Sequence, residues 1–275
     1  MINRVNNFEF DEPAYLQRIG LNSPITPDPE NLERIVRGQG FNIPFENFDI
    51  MLGRNISLAP EHIFQKLVSS PRGGYCFELN GLLLMALQHF GFDAIPLLAR
   101  VHLRGDPTSR THQLSLVTLD GQQWIVDVGF GGGGLLAPIP FELNRVFEQD
   151  GLRFRLVITE PYDYMLQLYK NDHWQNLYSF DLTHVGEADI AMGNFYTSTH
   201  PACFFTYSRI ATIPVQGGRI SLKDFLLNKR INGKAETIVL PQGPEYLEAL
   251  KLHFRIDLKV PYQALKPIDD QVISS

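Results

Sequence analysis

Hydrophobic positions along this chain fall into two regimes. From about residue 10 to 90 they recur at helical spacing. Asp11-Glu12-Pro13 predicts a helix start, with an acid at the cap and a proline in the first turn. Leu32, Ile35 and Val36 predict a second helix over 29–38, with Gly38 as its stop. Ile63, Phe64, Leu67 and Val68 form the apolar face of a third, over 60–68. The stretch 77–90 is apolar nearly all round, which predicts a buried central helix that Gly91 ends. Cys76 therefore stands at the start of that helix, after Gly73 and Gly74.

From about 93 to 200 the apolar runs shorten and read as strands: 94–102, 111–119, 122–128, 152–158, 164–170 and 174–180. Turns rich in Gly, Asp, Asn and Pro separate them, which predicts an antiparallel sheet or barrel. Beyond 200, strands over 204–213, 218–222 and 236–240 mix with a helix near 243–254. The tail 269–275 is expected to fray. No internal repeat or low-complexity segment interrupts this order.

Composition narrows the function classes. With 275 residues, 44% hydrophobic and 20% charged, the chain can bury a sizeable core. A net charge of −6 supplies no global basic field for nucleic acid or an anionic membrane. The first residues lack a basic segment followed by an apolar one, and no apolar run approaches the roughly 20 residues that span a bilayer. The expectation is a cytoplasmic protein with no nucleic-acid or membrane partner. Cys76 and Cys203 form no CxxC motif and have no clustered histidines, so neither a disulfide nor a metal site is expected. Each is a small buried hydrophobe or a reactive thiol.

Cys76 occupies the more reactive position. Free N–H groups and the dipole at a helix start stabilise an anion, and hence a thiolate. The same position also suits a structural cysteine packed by Phe77. A cysteine nucleophile needs a base, and the base needs an orienting group. The sheet region offers both. Asp120-Gly121 between two apolar runs is a two-residue hairpin signal. It pairs Leu119 with Gln122, Leu116 with Ile125 and Leu114 with Asp127. His112 and Asp127 then share the buried face as diagonal neighbours, about 7–8 Å apart along the backbone. A buried aspartate is costly unless paired, and His112 would pair it. A structural His–Asp pair is the competing reading; beside an activated cysteine, the catalytic one prevails. His102, with Asp106 following it in a loop, is the alternative base. Gly131, Gly132, Gly133 and Gly134 follow the aspartate strand and would let backbone amides approach a ligand, with a mobile turn as the competing reading. No Gly-Lys-Ser/Thr follows, which excludes a nucleotide P-loop.

These motifs resemble those of the arylamine N-acetyltransferases. Arg-Gly-Gly-Tyr-Cys-Phe-Glu (72–78) is similar to their nucleophile motif, Thr-His-Gln-Leu (111–114) to their histidine motif, and Val-Asp-Val-Gly-Phe-Gly (126–131) to their aspartate motif. Tyr-Leu-Gln-Arg-Ile (15–19), Ile-Pro-Phe-Glu-Asn-Phe (43–48) and Asn-Phe-Tyr-Thr-Ser-Thr-His-Pro (194–201) extend the resemblance over most of the chain. It implies an α+β fold with a cysteine-protease-like core. The implied parts are an N-terminal helical bundle (1–92) carrying the nucleophile, a central antiparallel β-barrel (93–200) carrying histidine and aspartate, and a C-terminal α/β lid (201–275). It implies a Cys76–His112–Asp127 triad and ping-pong acetyl transfer from acetyl-CoA, through an acyl-cysteine, to an arylamine or arylhydrazine, the chemistry of xenobiotic metabolism. Phe45, Phe130 and Phe204 are the expected walls of the acceptor pocket, with core packing the competing reading for Phe45. Thr108, Ser109, Gly131, Gly132 and Gly133 are the expected coenzyme contacts. Glu46 and Arg72 read as a structural pair shaping the nucleophile turn. The expected partners are the two small-molecule substrates and, at most, a second copy in a homodimer.

Two other activities use the same groups. One is an amide synthase closing polyketide macrolactams; the other is a transglutaminase-like cysteine hydrolase. The glycine run after Asp127 and the Pro-Phe-Glu-Asn segment favour the acetyltransferase. A catalytically dead binding protein is disfavoured by an intact Cys, His and Asp in mutually consistent places.

Overall fold

A computed structural model of the chain describes residues 8–103 and 106–268. The tail expected to fray, 269–275, and the first part of the N-terminal segment lie outside them. Helix α1 (Glu12–Arg18) starts where Asp11 accepts a hydrogen bond from the Ala14 amide at 3.0 Å. Helix α2 (Pro29–Asn42) is capped in the same way by Asp28. It runs on past Gly38, the expected stop. That glycine serves close packing instead: a Cβ there would lie 3.0 Å from the Ile19 carbonyl oxygen at the end of α1. Asn42 then donates to the carbonyls of Ile19 and Gly38 and holds the two helices together.

Strand β1 (Phe45–Glu46) and the short helix α3 (Phe48–Met51) follow, both too brief to leave a periodic signal. Helices α4 (Pro60–Leu67) and α5 (Cys76–His89) fall where the sequence predicts them. Helix α5 is the central buried helix, and Gly91 ends it at φ +84°.

Eight strands come next: β2 (Asp93–Val101), β3 (Arg110–Leu119), β4 (Gln122–Val126), β5 (Ile139–Pro140), β6 (Val146–Gln149), β7 (Leu152–Thr159), β8 (Asp163–Lys170) and β9 (His173–Phe180). They form one antiparallel sheet in the order β5-β4-β3-β2-β9-β8-β7-β6. Leu97, Leu114, Leu116, Phe154, Leu166 and Tyr178 converge on a single core, so the sheet curls into an open barrel. The Asp120-Gly121 turn has both residues at positive φ, and Leu119↔Gln122 and Leu116↔Ile125 pair as expected. Strand β3 is buried on both sides. Leu114 and Leu116 face the barrel core, whereas Val117 joins the core around α5.

Helix α6 (Glu187–Thr199) lies in a stretch that the sequence reads as strands. Its Met192 and Phe195 are exposed, so no apolar stripe marks it. Gly193 brings it close to β3 and α5, since a Cβ there would meet the Phe77 ring at 2.8 Å. Phe204, expected to open a strand, sits in a 3₁₀ turn. Strands β10 (Ile210–Val215), β11 (Gly218–Lys223), β12 (Leu226–Ile231) and β13 (Lys234–Val239) form a second antiparallel sheet, in the order β1-β10-β11-β12-β13. Strand β12 escapes the sequence reading because Asn228, Lys229 and Arg230 dilute its alternation. Helix α7 (Pro244–Phe254) packs on this sheet through Tyr246, Leu250 and Phe254. Together the elements make an α+β fold.

The turn before α5 is braced by buried charge. Glu46 accepts from Arg72 Nε at 2.8 Å and from the Phe48 amide at 2.7 Å. Lys66 bridges Asp49 and Glu78, both at 2.7 Å. Burial opposes the Lys66 charge, but Glu78, Glu46 and Asp49 outweigh it and push its ammonium up to about 12. The other Glu78 oxygen accepts from the Tyr75 amide at 3.1 Å and caps α5. Gly73 passes so close to Pro44 that a Cβ would lie 1.9 Å from its carbonyl oxygen. Gly73→Ala should therefore lower unfolding stability by about 1–3 kcal/mol. Gly132→Ala, where no atom lies within 4 Å of the new Cβ, should stay within about 0.5 kcal/mol of the parent. Urea unfolding of the two variants checks this.

Candidate active site

Cys76 is the first residue of α5. Its sulfur lies 3.8 Å from the Thr111 carbonyl oxygen, within thiol hydrogen-bond distance. Gly129 passes directly behind it: a Cβ there would lie 2.9 Å from the Cys76 Cα and 2.6 Å from Asn80 Nδ2. Only glycine lets the chain after Asp127 approach the start of α5 this closely.

His112 and Asp127 are both buried, with His112 Nε2 at 2.8 Å from Asp127 Oδ2. The β3–β4 ladder ends at Ser115↔Val126, so Asp127 sits one step beyond β4 and still reaches the imidazole. The second Asp127 oxygen accepts from Asn80 Nδ2 at 2.9 Å and from the Gly129 amide at 2.8 Å. Burial works against the carboxylate charge, but His112, Asn80 and Gly129 overcome it and hold Asp127 below its ordinary range. Burial likewise opposes charge on His112. The Asp127 carboxylate, and after it the Cys76 sulfur, reverse that effect and lift the imidazole to about 10. Since Nε2 is occupied by Asp127, Nδ1 is left for the sulfur. Phe130 and Tyr178 pack on the imidazole with centroids at 5.2 and 5.1 Å and shield the pair from water.

A cavity of about 310 Å³ opens onto this array. Cys76 and His112 line it, and so do Phe45, Phe130 and Phe204. Thr108 and Ser109 also line it, although the Thr108 hydroxyl is engaged with the Val101 amide and the Ser109 carbonyl. Asp127 stands behind His112, away from the cavity. Gly131 lines a separate crevice; Gly132 and Gly133 line neither space, whereas Gly129 lines the cavity. His102, the alternative base, bonds to Ser179 Oγ at 2.8 Å and not to Asp106. Glu46 and Arg72 form the structural pair expected of them.

The sequence reading overlooks Asn80, Tyr178 and Phe205, and does not place Cys203 at the cavity. Asn80 had a readable signal, a polar residue four positions after Cys76 on a largely apolar helix, and hence on the same face. Phe205 and Cys203 line the cavity through the irregular turn after α6, and irregular backbone carries no period. Among the described residues, no group of three or more His, Cys, Asp or Glu is placed to hold a metal ion, and no helix is long and apolar enough to cross a membrane.

Comparison with known proteins adds a family context. The profile described as N-acetyltransferase matches residues 28–262. The arylamine N-acetyltransferase / N-hydroxyarylamine O-acetyltransferase of Salmonella typhimurium is 36% identical over 247 residues, covering 88% of this chain and 87% of the relative. The arylamine N-acetyltransferase of Mycolicibacterium smegmatis is 35% identical, with 90% and 92% covered. The Mycobacterium marinum arylamine N-acetyltransferase, solved in complex with CoA, superposes with a TM-score of 0.87 at 29% identity, covering 93% of this chain and 97% of that one.

The buried pair makes stability depend on pH. The folded-state pKa of His112 is raised, so its contribution is full below the unfolded value near 6.5 and is lost as pH rises towards about 10. Asp127→Asn should cost about 3–5 kcal/mol near pH 6, because it leaves a buried cation without its partner. The gap between parent and variant should narrow steadily from pH 6.5 to 10, as measured by urea unfolding across that range. A gap that widens with pH would contradict the charged pair.

Proposed function

Because this chain belongs to the arylamine N-acetyltransferase family, we propose that Cys76 carries an acetyl group from acetyl-CoA to the amine of an arylamine or arylhydrazine. Family membership makes the chain an acyltransferase. The ping-pong route and the residue roles are our reading of the site. The observation that supports it is the buried imidazole–carboxylate pair that meets one thiol at the floor of a mostly apolar cavity. The CoA complex of the M. marinum relative supports the choice of donor.

In the first half-reaction the Cys76 thiolate, paired with the protonated His112 ring, attacks the thioester carbonyl. The amide of Cys76, at the start of α5, is the proposed donor to the oxyanion. The carbon–sulfur bond to CoA breaks, the departing thiolate takes the proton from His112, and acetyl-Cys76 remains. In the second half, the acceptor nitrogen attacks the acetyl carbon. His112 accepts the proton of the amine and returns it to the Cys76 sulfur as that carbon–sulfur bond breaks. Asp127 keeps the imidazole oriented and favours its charged form throughout.

Phe45, Phe130 and Phe204 are the proposed walls for the acceptor ring. Thr108, Ser109 and the 131–133 glycines are the proposed neighbours of the coenzyme. The three-part division at residues 92 and 200, and a cytoplasmic setting, belong to the same proposal. The names of the relatives favour acetyl transfer over macrolactam closure or hydrolysis.

Incubation with acetyl-CoA alone should add the mass of one acetyl group to the intact protein, located on Cys76 by peptide mapping. Cys76→Ala should fold and stay unmodified; a parent that takes no acetyl group would overturn the proposal. His112→Gln should lower kcat/KM by roughly 10²–10⁴-fold, the usual share of general acid–base catalysis. Burial pushes the Cys203 thiol up, so iodoacetamide should label Cys76 well before Cys203 near neutral pH. Equal rates would argue against an activated thiol.

A further inference from the structure

Behind the wall made by Phe45 and Phe130 lies a second crevice, between α2, the loop after Phe130 and the β1–β13 sheet. Val36, Phe41, Leu135 and Pro214 give it apolar walls, and Arg219 of β11 is the only charged side chain lining it. The Arg219 Nη1 donates to the Gly131 carbonyl at 2.8 Å and, more weakly, to Thr212 Oγ1 at 3.4 Å. Both acceptors are neutral. Nε and Nη2 have no protein acceptor among the described residues.

Among the described residues, no acid pairs with the guanidinium. The residue directly opposite Arg219 across the β11–β12 ladder is Arg230, a like charge. Glu236, the carboxylate on the neighbouring strand, is taken by Lys229 at 3.5 Å. Burial is the one influence on the Arg219 guanidinium, and it pulls the group down to about 10. A partly buried cation bonded only to neutral oxygens is costly to keep. An anion in the crevice would offset that cost. The free Nε–Nη2 edge presents two parallel N–H groups, the fork that matches a carboxylate. The enclosed space is about 20 Å³, room for about one water-sized group. It admits a halide, or one oxygen of a short carboxylate whose remainder stays outside, and excludes an aromatic ring or a nucleotide.

We propose that this crevice is a binding site for a small monoanion, a short carboxylate or a halide, held on the Nε–Nη2 edge of Arg219. The site shares the Phe45 and Phe130 walls with the catalytic cavity but contains neither Cys76 nor His112. Arg219 also holds the carbonyl of Gly131, next to Phe130, so the bound anion bears on the loop that shapes the acceptor wall. The proposal does not depend on acetyl transfer.

The test uses the whole protein without acetyl-CoA. The unfolding temperature is followed while sodium acetate, or in a second arm sodium chloride, replaces a bulky sulfonate salt at constant ionic strength. A saturable rise is expected for the parent in both arms. Arg219→Lys keeps the charge but loses the fork, and its apparent affinity for acetate should fall at least about tenfold. Arg230→Gln, at an exposed position, should fold normally and bind severalfold more weakly. Arg219→Gln should show no saturable rise. Equal responses in the parent and Arg219→Gln, or no saturation in the parent, would overturn the site. If Arg219→Gln does not fold, crystals of the parent soaked in bromide decide the question: an anomalous peak against the Nε–Nη2 edge supports it, and its absence refutes it.

Discussion

One buried carboxylate organises the candidate site. Asp127 is out of contact with solvent, so its charge must be met by the protein or not persist. Three donors meet it: the His112 ring, the Asn80 amide and the Gly129 backbone. Each comes from a different part of the fold. His112 comes from β3, Asn80 from the second turn of α5, and Gly129 from the loop leaving β4. The same contacts that satisfy the carboxylate therefore lock α5, which carries Cys76, to the barrel. Asn80 completes the lock by donating to the Gln113 carbonyl and accepting from the Val128 amide.

A second charged assembly fixes the other side of Cys76. Arg72 and Lys66 are set among Glu46, Asp49 and Glu78, and these residues come from β1, α3, α4, α5 and the turn between the last two. Burial pushes Glu78 up despite Lys66, so this cluster holds its last carboxyl less firmly charged than an exposed one. Glu78 also caps α5 through the Tyr75 amide, which places Cys76 at the helix start with little freedom. The two assemblies divide the work. One holds His112, and the other places Cys76.

The glycines between 129 and 134 do not act as one loop. Gly129 is needed because Cys76 and Asn80 leave no room for a side chain. Gly131 adopts φ +82° and offers its carbonyl to Arg219. Gly134 lies where a Cβ would come within 2.7 Å of the Phe130 Cβ. The run therefore has no single role: Gly129 and Gly134 permit close packing, Gly131 and Gly133 adopt positive φ, and a Cβ at Gly132 would meet nothing within 4 Å.

Much of this protein was decided locally and could be read in the chain. The Asp120-Gly121 turn sets its register by backbone geometry alone, so the meeting of His112 and Asp127 followed from counting residues on two strands. The start of α5 at Cys76 followed from an apolar run preceded by two glycines. What the tertiary structure alone decided depends on contacts between distant segments. β1 pairs with β10, Phe45 opposite Thr212, and carries an N-terminal pair of residues into the last sheet. Helix α6 has exposed apolar residues and a Gly193 that only the Phe77 ring explains. Arg219 sits in a strand of ordinary polarity, and its unmet charge emerges only when β10, β12 and the Gly131 loop close around it. Periodicity records which face of an element is buried; it does not record which element buries it, and that distinction separates the two sets of residues.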